Sequence, residues 1–205
     1  MKKFSIFLIA IFSLTNIFGQ ASLEGDVNVF NPITTGVPFL SIAPDARGGA
    51  MGDVGAATSP DAYSQYWNPS KFAFIDGAGG VSLSYTPWLR KLVKDIDLAY
   101  LSGYYKIADI QTVSASLRYF SLGEVMIRKD ATSPAITAKP YDLAVDASYA
   151  RILAENFSMG VTLRFIYSDL LGGAPVEEAE SLTPGAAVAA DISAFYSSPV
   201  VFPEG

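Results

Sequence analysis

Six charged residues, Asp97, Arg118, Asp142, Asp146, Arg164 and Asp191, fall on the polar phase of stretches that alternate apolar and polar residues. Carboxylates and guanidinium groups sharing one face can pair with each other, tie down a neighbouring segment, or line a polar path for a solute. They cannot face hydrocarbon, where an arginine at mid-bilayer costs about 2–4 kcal/mol. The reading preferred here is structural: these groups pair among themselves or with upstream residues such as Arg47 and Asp53. Catalytic chemistry is poorly supported. The chain has no histidine, the commonest general base and metal ligand, and no cysteine. It lacks a G-x-S-x-G elbow. Gly48 to Asp53 (GGAMGD) has the glycines of a phosphate loop but neither its lysine nor a preceding strand. Glu177, Glu178 and Glu180 lack the interleaved ligands of a calcium loop and read as a solvated acidic stretch. No enzyme, cofactor or metal site is expected.

The elements that must position these charges are strands. In residues 141–150, Tyr141, Leu143, Val145, Ala147 and Tyr149 fall on one face, and Asp142, Ala144, Asp146, Ser148 and Ala150 on the other. Strand side chains alternate between faces, so such a stretch has one apolar and one polar side. The same period predicts strands over about 81–86, 96–106, 111–122, 141–151, 157–168 and 186–196. The connections, 87–95, 107–110, 123–140, 152–156 and 169–185, run longer, short, long, short, long. Outer-membrane barrels sort their loops this way, with short periplasmic turns and long extracellular loops. A soluble sandwich also alternates along its strands but has no reason to sort its loops.

The ends of the chain agree with export. Lys2 and Lys3 precede an apolar run, Phe4 to Phe12, and small residues follow around Gly19-Gln20-Ala21. These are the parts of a secretory signal peptide, expected over residues 1–21, rather than of an N-terminal anchor. No other stretch has the roughly 20 apolar residues of a spanning helix. Yet half of the residues are hydrophobic, and the mean hydropathy is positive. An exported, apolar chain without such a helix fits a closed barrel, which satisfies its backbone groups within the protein. The formal charge of −6 becomes about −8 without Lys2 and Lys3, which argues against a nucleic-acid partner.

Residues 22–80 are rich in Gly, Ala and Pro and hold no strand period. Short helices are expected near 44–51 and 59–65, with Asp45, Ser59 and Asp61 as candidate caps. This segment should fold against or inside something else. The expected architecture is therefore all-β: residues 1–21 a signal peptide, 22–80 a packed segment, and 81–205 a membrane wall of six strands. Six is fewer than the eight of the smallest barrels, so further strands of a longer protein are expected.

Residues 46–74, ARGGAMGDVGAATSPDAYSQYWNPSKFAF, and the following VSLSYTPWLRKLVKDIDLAYLSGYYK resemble the N-terminal part of the PorV family. These are outer-membrane components of the type IX secretion system, within the FadL-like barrel superfamily. The element Trp67-Asn68-Pro69 is shared across the superfamily, while the longer combination is specific. Ser70 stands where many relatives carry Ala. The resemblance implies an antiparallel transmembrane barrel of about 14 strands, with an N-terminal hatch carrying Trp67, Asn68 and Pro69 in its lumen. Asn68 could close an Asx-turn that Pro69 stiffens. The implied function is non-enzymatic: binding exported substrates that bear a C-terminal signal as they leave the translocon, and passing them to a surface attachment complex.

The alternatives are a FadL-like passive transporter of hydrophobic small molecules and, more weakly, a soluble periplasmic lipid carrier. Expected partners are outer-membrane lipid and, by resemblance, the type IX translocon, substrate C-terminal domains and the attachment complex. Val125, Met126, Ile127, Leu170, Leu171 and Val176 are apolar residues on long loops, where partner contact is expected unless they fold back over the barrel mouth. Tyr85, Trp88, Tyr100, Tyr104, Tyr119, Tyr141, Tyr149, Tyr167 and Tyr196 read mostly as an interfacial girdle, with Trp88 a candidate for ligand stacking.

Overall fold

The structure is a computed structural model describing residues 37–87, 95–128, 135–170, 172 and 184–197. Strands form where the alternation places them: β1 (Gly79–Pro87), β2 (Ile96–Ala108), β3 (Gln111–Leu122), β6 (Tyr141–Ala154), β7 (Phe157–Asp169) and β8 (Gly185–Tyr196). They make one antiparallel sheet in the order β1-β2-β3-β6-β7-β8. β4 (Val125–Ile127) and β5 (Ile136–Ala138) pair separately, a hairpin inside a connection where the sequence predicts no strand. Three residues on each side are too few to show a period. β2, β6 and β7 run past their expected ends, and register shifts at Lys106/Ala108 and Ile152/Ala154 mark the two short turns.

The register stacks like with like across all six strands. One row runs Leu83, Leu101, Leu117, Val145, Phe165, Val188. A neighbouring row on the opposite face runs Ser82, Ser102, Ser116, Asp146, Arg164, Ala189. A slip of one residue on any strand would put serines and charges among leucines, which fixes the pairing.

Burial is inverted relative to a water-soluble sheet. The polar face is covered: Thr112, Ser114, Ser116, Arg118, Asp146, Ser148, Ser158 and Thr162 are buried. The apolar face is bare, with Val81 76% and Leu163 64% exposed. What covers the polar face is the chain before β1. It folds as a 3₁₀ turn (Pro38–Ser41), a short helix α1 (Ala46–Ala50), a single turn α2 (Ser64–Trp67) and a 3₁₀ helix (Pro69–Phe74). α1 is shorter than the expected 44–51, because its glycines propagate helix poorly, and α2 lies over 64–67 rather than 59–65, after the helix-breaking Pro60. Among the described residues no helix is long and apolar enough to cross a membrane.

Toward the long connections the covered face turns apolar. Phe39 of the 3₁₀ turn packs with Leu98, Phe120, Ala144 and Ile166, its ring stacked on Phe120 at 6.5 Å and 7°. α1 starts because the Asp45 carboxylate accepts from Arg47 N at 2.8 Å and Gly48 N at 3.0 Å. Asp45→Ala removes both bonds and should weaken this turn by about 1 kcal/mol. Faster hydrogen exchange at the Arg47 and Gly48 amides is the expected readout; unchanged exchange would show that the cap does not hold the helix start.

Candidate functional site

The candidate site is the contact between residues 37–78 and the polar face of the sheet, and serine and threonine hydroxyls build most of it. Gln65 of α2 is fully buried: its Nε2 donates to Ser148 Oγ at 2.7 Å, and its Oε1 accepts from Ser114 Oγ at 2.6 Å. One amide thus ties β3 and β6 to the covering segment. Main-chain carbonyls of the segment accept the other hydroxyls: Ala62 O from Ser102, Phe72 O from Thr112 and Ser70 O from Ser158, at 2.7, 3.1 and 2.8 Å. An irregular segment leaves carbonyls without helix or sheet partners, and a face of short hydroxyls supplies them.

Trp67, Asn68 and Pro69 sit in the middle of this contact. Gly48 and Gly55 approach the Trp67 indole so closely that a Cβ at Gly55 would overlap the ring, and one at Gly48 would lie 2.9 Å from it. Tyr66 meets the same indole edge-on at 4.7 Å. Asn68 does not make the expected Asx-turn. Its Nδ2 donates to Ala56 O at 3.1 Å and to Ala194 O of β8 at 3.0 Å, while its Oδ1 accepts from the Ser70 hydroxyl. Ser70 is therefore a bonded part of the site, with its N–H also donating to Ser193 Oγ. Lys71 is fully buried and donates to Gly55 O at 2.8 Å and Thr58 Oγ1 at 3.1 Å. Burial pushes its ammonium below the usual lysine range.

Of the six charges assigned to the polar phase, five are there. Arg118 donates from Nη1 to Phe39 O (3.3 Å) and Leu40 O (2.9 Å), with its guanidinium over the Tyr66 and Tyr100 rings at 4.6 and 5.3 Å. Arg164 bonds Asp146 through Nε at 2.6 Å and reaches Asp191 at 3.3 Å, and Ser116 donates to the second Asp146 oxygen. Asp142 stands half-buried on the same face at the register position of Phe120. Asp97 is the exception. It lies on the apolar face near the strand end, where it accepts from Tyr85 OH at 2.7 Å. A carboxylate at a strand end can face the apolar side when a tyrosine hydroxyl and solvent reach it, so its phase is a poor guide there.

Pairing with Arg47 and Asp53 is not what ties the charges down. Arg47 pairs instead with Asp61 inside the segment at 3.3 Å. The aromatic assignment also divides. Tyr119, Tyr141 and Tyr167 form a contacting series at one end of the apolar face, with ring centroids 5.8 and 6.1 Å apart. Tyr100 and Tyr104 point the other way, Tyr100 buried and Tyr104 stacked on Phe72 at 5.0 Å. Val125, Met126 and Leu170 are exposed, and Ile127 belongs to β4. Leu171, Val176, Trp88 and the three glutamates lie outside the described residues. Gln65, Tyr66 and Lys71 do not stand out in the sequence; a buried amide or lysine in a small-residue segment carries no periodic signal. Among the described residues no group of three acidic, His or Cys side chains could hold a metal.

An antiparallel sheet with its polar face filled by its own preceding segment and its apolar face bare is the class of wall that suits a lipid-embedded β-protein. The family model for the type IX secretion system protein PorV matches residues 26–203, and the chain belongs to that family. It is thus a type IX secretion system protein of an outer-membrane-associated family. No curated protein matches the chain.

The Trp67 seat yields a graded prediction. Gly55→Ala places a methyl in the ring and should destabilise the covering segment by about 1–3 kcal/mol. Gly49→Ala meets nothing nearer than 3.9 Å and should be neutral. Tryptophan emission should shift red in the first variant only; equal spectra would show that the indole is not seated between the glycines.

Proposed function

We propose that this chain forms part of the wall and the hatch of an outer-membrane β-barrel that receives exported proteins bearing a C-terminal signal as they leave the type IX translocon, and passes them to the surface attachment complex. The observation that carries this reading is the inverted burial, with polar side chains bonded beneath residues 37–78 and apolar ones bare. In water that arrangement exposes a broad apolar surface at a large free-energy cost, whereas in hydrocarbon it is the favoured one. β1 and β8 each have one partner among the described residues. Open edges in lipid cost several kcal/mol per unsatisfied group, so the sheet is read as an arc of a closed barrel of about 14 strands. Residues 1–21 are read as the signal peptide, 22–80 as the hatch and 81–205 as wall.

In this reading Arg118, Asp146, Arg164 and Asp191 hold the hatch region and inner wall together rather than conduct a solute. Their bonds to backbone carbonyls and to each other support that role. The exposed Val125, Met126 and Leu170 are the proposed partner contacts on the outer loops, together with Ile127, Leu171 and Val176.

The protein should fractionate with outer membranes and migrate differently on gels when unheated; recovery from the soluble periplasm would sink the barrel. Single cysteines in residues 123–140 should label from outside intact cells, and those at 107–110 should not. The reverse pattern would invert the topology. Loss of the gene should trap secreted proteins in the periplasm with their C-terminal signals uncleaved. Intact secretion with a defect in uptake of a hydrophobic solute would favour the passive-transporter alternative. Trp67→Ala with Asn68→Ala should loosen the hatch, by at most about 3–5 kcal/mol for the half-buried indole, and raise leak to small antibiotics. Unchanged permeability and secretion would remove the hatch assignment.

A further inference from the structure

The apolar face is not uniformly filled. It carries a hollow of about 600 Å³ whose floor is Gly103 and Ala115, directly opposite each other in the β2–β3 register. Val81, Leu101, Tyr105 and Leu117 wall it. The protein itself does not require the hollow. A Cβ added at Gly103 would find Gly80 O at 3.4 Å and Val81 Cγ2 at 3.6 Å, ordinary contacts, and Gly103 is not among the positive-φ glycines.

On the same face, toward the short turns, Arg151 stands exposed at the register position of Gln111. It makes no ion pair or side-chain hydrogen bond among the described residues. Four residues separate Gln111 from Ala115, which places the level of Arg151 about 13 Å along the strands from the floor of the hollow. The rings of Tyr105 and Tyr149 stand between the two levels, both in register with Val113. Asp109 and Glu155 belong to the turns beyond, leaving Arg151 as the cation on the apolar face at this end among the described residues.

We propose that the hollow and Arg151 form one phospholipid-binding site, with an acyl chain lying over Gly103 and Ala115 and the lipid phosphate on the Arg151 guanidinium. The inference rests on the membrane reading above. The hollow is shallow, open along the face and lined almost wholly by apolar atoms, which suits a chain lying in it rather than an enclosed ligand. The walls offer hydrocarbon contact and the hollow opens onto the face assigned to lipid, which selects a chain over a polar ligand. The arginine supplies the complementary charge where a strand end meets the interface, and the tyrosines occupy the depth where amphipathic rings concentrate. By the sorting of the loops this end faces the periplasm, so the lipid is a glycerophospholipid of the inner leaflet.

The test uses full-length protein extracted from outer membranes in mild detergent and examined by native mass spectrometry. Wild type should retain one glycerophospholipid per chain. Ala115→Phe, which fills the hollow, should lose it. Arg151→Gln should lose it at lower collision energy than wild type, and Arg151→Lys should restore part of the retention. Ala190→Phe, on the same face but on β8, should keep the lipid. All variants should still fractionate with the outer membrane and shift on heating, which separates failure of the site from failure of the membrane reading. Equal retention by wild type and Ala115→Phe would overturn the proposal. So would a photo-crosslinker at position 115 that captures a protein in cells instead of a lipid. Absence of the wild type from the outer membrane would overturn both the site and the reading beneath it.

Discussion

The hydroxyl groups of Ser102, Thr112, Ser114, Ser148 and Ser158 stand on a covered face, and a covered hydroxyl must be bonded. That requirement organises the rest of the molecule. Carbonyls of an irregular segment need donors, short hydroxyls on a strand need acceptors, and the two sets meet across one surface. Each bond contributes only about 1 kcal/mol net, but leaving a buried partner unmet costs about 1–3 kcal/mol, so the match is enforced mainly by the penalty for missing it. Small side chains on both sides are a consequence. A long polar side chain between sheet and segment would hold them apart, and the long ones admitted there, such as Gln65, Lys71 and Arg118, each have their nitrogen bonded.

Arg118 shows how a buried charge is tolerated here. Its partners are two carbonyls and two tyrosine faces rather than a carboxylate. Asp146 is committed to Arg164 and Ser116. Removing Arg118 would therefore leave carbonyls unmet but no orphaned opposite charge, a milder defect than breaking the Asp146–Arg164 pair. The two arginines do different jobs: one holds the turn around Phe39, the other joins β6 to β7 and reaches β8.

Most of the sheet is legible in the sequence because a period of two sustained over ten residues fits a strand and little else, and the rows from Leu83 to Val188 follow from it directly. The position of the covering segment is foreseeable from its small residues, but its contacts are not. Asn68 next to Pro69 suggests a local turn, whereas its amide reaches Ala194, 126 residues away, and no local pattern encodes that. Asp97 and Tyr100 depart from their expected faces for opposite reasons. A carboxylate at a strand end escapes the polar phase, and a tyrosine can serve the covered polar face as a platform for a cation. The β4–β5 hairpin is invisible in the sequence because three-residue strands carry no period.

The bonds of the segment to the wall also impose an order in time. Gln65 needs β3 and β6, Ser70 needs β7, and Asn68 needs β8. Residues 37–78, made before β1, cannot complete their contacts until the sixth strand has paired, and contacts that close such long loops form slowly. Until then their carbonyls and the hydroxyls facing them must be met by water. The covering segment can thus satisfy all of its bonds only with β8 in place, and until then part of the polar face stays wet.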